Sequence, residues 1–438
     1  MIQPSMPSAS QSPARIIVIG AGVAGLIVAR EVARAGMPVT VFEASDRIGG
    51  QLASVRIAGI DVDSAAESFA TRGGAVAALA TELGLAHDLV RPRESPAWLI
   101  GRGGRARPLP AASLLGIPAD PRAPDVVRAI GPVAAWRARL DAVLPLRRPE
   151  SYPSVGSLVR RRMGSGVLRQ LVAPVVRGVY SMAPDALPLD RASPGMRDAL
   201  REAGSLGAAV ARLRAAGPAG SQVAGLRGGM HLLATTLAEA AESAGAQIVL
   251  RARVARADEA GVWLAGGDRV RGHVVSAAAA SAGAAVRERT ITVATAAVDA
   301  AGLHSAPRGT GALIADGVRG MSARALTHST AKWQWLADNL PAHRHIVRLS
   351  YDETPDDPEQ TVAADLRAIT GVPIDGLLQL DVRTWTRTLQ AQPVAAGLDA
   401  VGEAASVTGL ASIVPAARAT AERLSANVRA ARSGGAEG

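Results

Sequence analysis

The sequence predicts an α/β fold whose first unit binds a dinucleotide. Two observations carry this. Residues 14–50 read as strand, tight glycine turn, helix, strand and second glycine turn. Later stretches, from Gly225 and from Gly397, again set glycine turns beside helix and strand patterns.

Arg15 to Ile19 is a short β-branched run, as a strand buried on both faces requires. Gly20, Gly22 and Gly25 follow it as G-x-G-x-x-G. Gly20 makes the tight turn, Gly22 lets the backbone approach a pyrophosphate, and Gly25 lets helix and strand pack closely. Val23 and Ala24 open a helix running to about Ala35, whose N-terminal N–H groups face that pyrophosphate. Val39 to Phe42 is the second strand. Glu43 stands at its end, where an acidic residue accepts ribose hydroxyls and would repel a 2′-phosphate. NAD and FAD both satisfy this pattern.

Composition narrows the class. The chain has 438 residues, enough for two domains or one large one. The net charge is +10, but the positive residues are arginines spread along the chain, with Lys332 the only lysine. No nucleic-acid motif accompanies the charge, so nucleic acid is not expected as a partner. There is no cysteine, which excludes disulfides, cysteine-bound metal and a cysteinyl-flavin link. Residues 1–13 are polar and expected to be disordered, with no secretory signal. No apolar run suits a membrane span. A cytoplasmic location with at most peripheral membrane contact is expected.

Glu43-ASDRIGGQ resembles the E-A-x-x-R-x-G-G extension of FAD-dependent, amine-oxidase-type flavoproteins. Ala58-GIDVDSAAESFATRGG resembles the V-D-x-G-A-E-S-F stretch of their protoporphyrinogen and coproporphyrinogen oxidase branch, with Ala65 where that branch has Gly. The resemblance implies a discontinuous Rossmann-like FAD-binding domain with an inserted α+β substrate domain. Residues 14–85, 216–285 and 386–438 would form the first; 86–215 and 286–385 the second. It implies non-covalent FAD held by Ala44, Arg47, Gly49 and Gly50, by Ala65, Ala66, Glu67 and Ser68, and by the backbone of Val254 at the adenine. Gly402, Glu403, Gly409, Leu410 and Ala411 would close the site. There Val407 replaces a Gly and Ala411 a Pro, and the stretches after Ser276 and after Leu389 are shorter than the family pattern.

Between these segments Val126 to Leu144 reads as one helix. Ser157 to Val179 reads as an amphipathic helix, with Gly178 as its C-terminal cap, and Leu171 to Tyr180, LVAPVVRGVY, resembles the family's L-V-x-P-x-V-x-G-V-Y. The histidines show no metal-ligand spacing, and His343 and His345 read as a solvated pair. No nucleophile elbow is present, which a flavin oxidase permits because its cofactor carries the redox chemistry. The resemblance implies oxidation of a porphyrinogen to the porphyrin, with O2 as acceptor, in haem synthesis. Arg177 is the expected substrate contact, with Arg102, Arg105 and Arg107 as further partners for propionates. A flavin-fold binding protein without turnover is the alternative. An amine oxidase is a third reading, set against Lys332 lying in a porphyrinogen-oxidase-like S-T-A-K-W context.

Overall fold

The computed structural model describes residues 15–434 apart from 102, 147, 181, 216–222, 279–285, 392–397 and 406. The expected disordered segment 1–13, Arg102 and Gly397 lie outside the described residues.

The opening strand, Ile16–Ile19, is the centre of a five-stranded parallel sheet. Val39–Phe42 pairs on one side and His273–Ser276 on the other. Gln247–Val249 and Asp399–Ala400 form the edges. Both faces of the central strand are covered, which is why it carries no polar residue. Ile16 and Val18 pack beneath the helices Val23–Arg34, His231–Ser243 and Leu410–Gly434. Ile17 and Ile19 pack beneath a three-stranded antiparallel ribbon, through Val254 and Val262. Each such side chain contributes about 1.5–3 kcal/mol by leaving water.

From its apolar run Val270 to Val275 reads as one strand. The chain instead breaks at Gly272: Arg269–Arg271 completes the ribbon and His273–Ser276 joins the parallel sheet. A Cβ on Gly272 would lie 2.5 Å from the Arg15 carbonyl oxygen, so only glycine allows the crossing.

The second sheet has seven strands, in the order Gln379–Ala391, Val286–Asp299, Arg344–Tyr351, Ala325–His328, Gly311–Ile314, Trp98–Ile100, Ala106–Pro108. All pairs are antiparallel except Gly311–Ile314 with Trp98–Ile100. Residues 385 and 386, where the sequence reading divides the domains, both lie inside the Gln379–Ala391 strand. A helical layer with its own core of Val155, Leu158, Val159, Leu171, Val172 and Val176 lies beside this sheet.

Two helices differ from their sequence reading. Val126 to Leu144 is broken at Gly131, which has φ +82 and precedes Pro132; helices Pro124–Ile130 and Pro132–Arg139 flank it. Gly178 is not a cap but lies within the helix Ala173–Tyr180. A Cβ there would sit 2.6 Å from Leu313 Cδ2, so its glycine serves close packing against the sheet. Among the described residues no helix is long and apolar enough to cross a membrane.

Candidate functional site

The glycine turn after Ile19 is built as its spacing predicts. Gly20 has φ +100. A Cβ on Gly25 would lie 2.1 Å from the Gly20 carbonyl oxygen, so helix and turn touch there. Gly22 is different: nothing lies within 4 Å of where its Cβ would be. The helix it opens has no side-chain cap and no acidic residue in its first turn. Its first N–H groups lack intrahelical acceptors and carry the positive end of the helix dipole. Together these leave an open, electropositive step at Gly22, Val23 and Ala24.

Glu43 borders the same step. Its Oε2 accepts the Ala21 N–H at 2.8 Å, and its Oε1 accepts the Ser45 N–H and hydroxyl at 2.8 Å. These bonds fix the carboxylate while its oxygens retain acceptor capacity. Ala44 beside it is exposed.

The second glycine turn folds against the first. Gly22 and Gly49 form a lone parallel β-bridge, and the Gly49 N–H donates to the Ala21 carbonyl at 2.8 Å. Arg47 donates to the Gly50 carbonyl at 2.9 Å, and its guanidinium lies 5.2 Å from the centre of the Trp385 ring.

The last segment arrives at the same place. A Cβ on Gly402 would lie 2.8 Å from Ala24 Cβ. Gln51 donates to Glu403 at 2.8 Å. Leu410 and Ala411 begin the final helix, preceded by Gly409 at φ +79. Two glycine turns near the start of the chain and a third stretch, 352 residues beyond Gln51 at Glu403, therefore meet at one rim. Arg72 donates to Ser412 at 3.1 Å and Arg191 to Thr408 at 2.8 Å, tying that rim to other elements.

Two of the departures from the family pattern, those where a glycine is replaced, are conformationally harmless. Neither Ala65 nor Val407 has a positive φ, so neither position needs glycine for its backbone. Val407 donates to the Gly402 carbonyl at 2.8 Å. Ala66 donates to the Gln51 carbonyl at 3.2 Å, which holds its loop on the glycine turn.

The carboxylate of Glu67, a residue expected at the cofactor, is bound by two cations. Lys332 Nζ lies 2.5 Å from Oε1, and Arg348 Nη1 lies 3.0 Å from Oε2. Arg348 also bonds the Ala65 carbonyl, and Lys332 reaches the Ser68 hydroxyl at 3.5 Å. Burial opposes the charge, yet the Lys332 ammonium and Arg348 guanidinium hold the Glu67 carboxyl down at about 2. Glu67 is thus the anchor of the 64–68 loop. The Val254 side chain belongs to the core beneath the ribbon, which leaves its backbone as the part expected at the adenine.

His345 requires a correction. It is not solvated but buried, 3.2 Å from His328 Nε2 and 3.3 Å from the Thr330 hydroxyl. Burial, then the neighbouring cationic groups, push His328 down to about 3 and His345 to about 4, so both are neutral near pH 7.

Arg177 lies in a cleft of about 450 Å³ lined also by Ala183, Arg289, Asp316, Gly317 and Arg324. It pairs with Asp316, which Arg324 also bonds, at 2.7 Å. Burial and the adjacent Arg324 and Arg289 push its pKa down, the mark of guanidiniums crowded together. Arg105 is exposed, and Arg107 donates to the Ala129 carbonyl at 3.3 Å. The roles of Arg348, Arg191, Gln51 and Trp385 arise from long-range contacts that local patterns do not show; Trp385 Nε1 donates to the Ser64 carbonyl at 3.2 Å.

The open step at Gly22, the uncapped helix and the fixed Glu43 fit the diphosphate and ribose of FAD, with no cysteine in the chain to bind it covalently. Comparison with known proteins agrees. The chain is 30% identical over 408 residues to the coproporphyrinogen III oxidase of Mycobacterium tuberculosis strain H37Rv, covering 86% of this chain and 87% of that one. It is 29% identical over 298 residues to the coproporphyrinogen III oxidase of Propionibacterium freudenreichii, a match spanning 60% of this chain and just over half, 56%, of that enzyme. In fold it is similar to an Exiguobacterium protein provisionally assigned as a protoporphyrinogen oxidase, with TM-score 0.79 and 22% identity over 95% of this chain and all of that one. Cyclohexylamine oxidase from Brevibacterium oxydans shares the fold at TM-score 0.61 and 18% identity, over 94% of this chain and 100% of its own. The description "flavin containing amine oxidoreductase" matches residues 23–305, and with these likenesses the chain belongs to that family and takes FAD as its cofactor.

Proposed function

We propose that this flavoprotein oxidises coproporphyrinogen III to the porphyrin with O2 as acceptor, in haem synthesis, and protoporphyrinogen IX less well. The observation that carries the reading is the near full-length likeness to a coproporphyrinogen III oxidase. Residues 14–85, 216–285 and 398–438 serve as the FAD domain, and 86–215 with 286–391 as the substrate domain, since the strand Gln379–Ala391 belongs to the second sheet. FAD is held without a covalent bond by Gly20 to Gly25, Glu43, Arg47, Gly49 and Gly50, and by Gly402 with the start of the last helix.

FAD, when bound, accepts two electrons at a time and passes them to O2. The porphyrinogen loses six hydrogens, so three O2 become three H2O2. This chain's residues bind, orient and exclude water. The Arg177 cleft suits a propionate: Arg177, Arg289 and Arg324 line it with Asp316, and Asp352 bonds Arg289 and Arg324, so three guanidiniums face two carboxylates. Coproporphyrinogen carries four propionates and protoporphyrinogen two. Each exposed arginine–carboxylate pair contributes about 0.2–1 kcal/mol, so extra pairs bias the choice and salt weakens the bias. Against an amine-oxidase role, Lys332 is bound to Glu67 and so is not poised to hold a water for amine chemistry.

The test is to add each porphyrinogen to the purified yellow protein in air. Porphyrin fluorescence with matching H2O2 is expected, faster for coproporphyrinogen III. If neither is oxidised faster than in buffer while FAD is bound, the enzyme reading fails and a binding role replaces it.

A further inference from the structure

One short helix of the helical layer, Leu189–Ala192, sends a charged side chain out of that layer. Its backbone is held from several sides. The Ala192 N–H donates to the Pro188 carbonyl at 3.1 Å, the Tyr180 hydroxyl donates to the Ala192 carbonyl at 3.1 Å, and Asp190 binds Arg197 at 2.7 Å. Leu189 and Ala192 are buried in the layer's core. Arg191 between them turns the other way and is half-buried. It reaches a residue 217 positions further along the chain: Nη2 donates to the Thr408 hydroxyl at 2.8 Å, and Nε to the same oxygen at 3.3 Å.

Thr408 stands on the FAD rim. Gly409 and the helix Leu410–Gly434 follow it directly, and Gly402 on its other side lies against Ala24. That helix has no acidic residue in its first turn, so its N-terminus keeps the positive end of the dipole.

The rim has a known direction. Glu43 and the turn from Gly20 to Gly25 mark the ribose and the diphosphate. The isoalloxazine half of FAD continues from there to a place the substrate can reach, where the two proposed domains meet. Side chains of the substrate domain touch the rim segments at three points: Arg191 at Thr408, Lys332 with Arg348 at Glu67, and Trp385 at the Ser64 carbonyl. Lys332 and Arg348 spend their charge on the Glu67 carboxylate. Arg191 is the cation brought to the start of the last helix. Burial lowers its pKa, while Glu403, which accepts from Gln51 at 2.8 Å, acts in the opposite sense. A guanidinium remains a cation at neutral pH.

An oxidised isoalloxazine is neutral. Once it has taken two electrons and one proton it is an anion at neutral pH. A fixed cation in a site partly closed to water favours the second form over the first, and charge beside the ring is one of the means by which a protein tunes a flavin.

We propose that Arg191 stabilises the reduced form of FAD from across the domain boundary, and that Thr408 is the positioning residue that aims it. This rests on the FAD site proposed above, and is independent of which porphyrinogen is oxidised.

The experiment is a redox titration of the FAD-loaded full chain at pH 7, followed by absorbance against a dye of known potential, with no porphyrinogen present. Arg191→Met should shift the balance between reduced and oxidised FAD about tenfold toward the oxidised form, a midpoint potential lower by about 30 mV for a two-electron couple. Sulfite, which adds to the oxidised ring and leaves it negatively charged, should bind this variant more weakly. Arg191→Lys keeps the charge and should retain most of the wild-type potential. Thr408→Val frees the guanidinium and should give a shift between the two. Circular dichroism matching the wild type shows that each variant folds. A potential for Arg191→Met equal to that of the wild type overturns the proposal. So does a shift in Arg191→Lys as large as in Arg191→Met, because Arg191 would then supply packing and not charge. A wild type that takes up no FAD overturns the flavin site and this role with it, whereas a flavin-loaded wild type that oxidises neither porphyrinogen yet shows these shifts supports the role of Arg191.

Discussion

Replacing Glu67 by Gln should unsettle the protein far more than its small change in shape suggests. The substitution keeps the size and removes one charge, leaving Lys332 and Arg348 facing each other in a nearly water-free site. Side-chain exposure is 16% at Lys332, 9% at Arg348 and 12% at Glu67. Removing one partner from a buried ion pair costs about 3–5 kcal/mol, mostly from the uncompensated charge that remains. The lowered carboxyl value leads to a similar magnitude. The folded Glu67 carboxyl sits at about 2 against 4.5 for the free group. At 1.36 kcal/mol per pH unit this difference amounts to about 3 kcal/mol. Because the folded value is the lower one, the stabilisation is complete above about pH 4.5 and is lost as pH falls toward 2. Urea unfolding at pH 7 should therefore show Glu67→Gln less stable by about 3–5 kcal/mol. On acidification the gap between wild type and variant should narrow across that window. A variant within about 1 kcal/mol of wild type at pH 7, or a gap that stays constant from pH 5 to 2.5, would refute the anchoring role.

Three further outcomes follow from the site. Glu43→Ala should weaken FAD by about 1–3 kcal/mol, read by flavin fluorescence on titration, because buried ribose hydroxyls lose a good acceptor; unchanged affinity would remove Glu43 from the ribose. Gly22→Ala should fold normally, having open space for its methyl group, yet bind FAD more weakly; Gly25→Ala should lose stability outright, since its Cβ would lie 2.1 Å from the Gly20 carbonyl. Circular dichroism and FAD titration on the pair separate the two effects. The His328–His345 pair should make stability fall on mild acidification. Both folded values lie below 6.5, at about 3 and about 4, so between pH 6.5 and 4 the unfolded chain binds more protons. The double variant His328→Gln/His345→Gln should flatten that limb of the urea midpoint against pH.

The local grammar of the nucleotide unit was legible because it is written in short range. Gly20, Gly22, Gly25 and Glu43 are fixed by a strand, a turn and a helix within thirty residues, and the structure places them together. What failed depends on partners far along the chain. Gly178 reads as a cap until Leu313 is seen against it, and His345 reads as solvated until His328 covers it. Glu67 could be placed in the right loop but not given its partners, because Lys332 and Arg348 are more than 260 residues away. Strand pairing behaves the same way: periodicity shows that Ile16–Ile19 is buried on both faces, but not that His273–Ser276 is its neighbour.

That pairing sets a timetable for the nascent chain. The central strand leaves the ribosome early, and the neighbour on its far side arrives more than 250 residues later. At about 5–20 residues per second this is a delay of roughly ten to fifty seconds. During it an all-apolar strand has one unpaired edge, a template for mispairing with other chains. The rim that Gly402 and the last helix supply comes later still. At the proposed site FAD can be clasped only after Gly402 and the last helix have emerged, so the cofactor would not rescue the earlier stages of folding. Yield in an expression host should therefore respond to slower synthesis or added chaperone before it responds to added riboflavin.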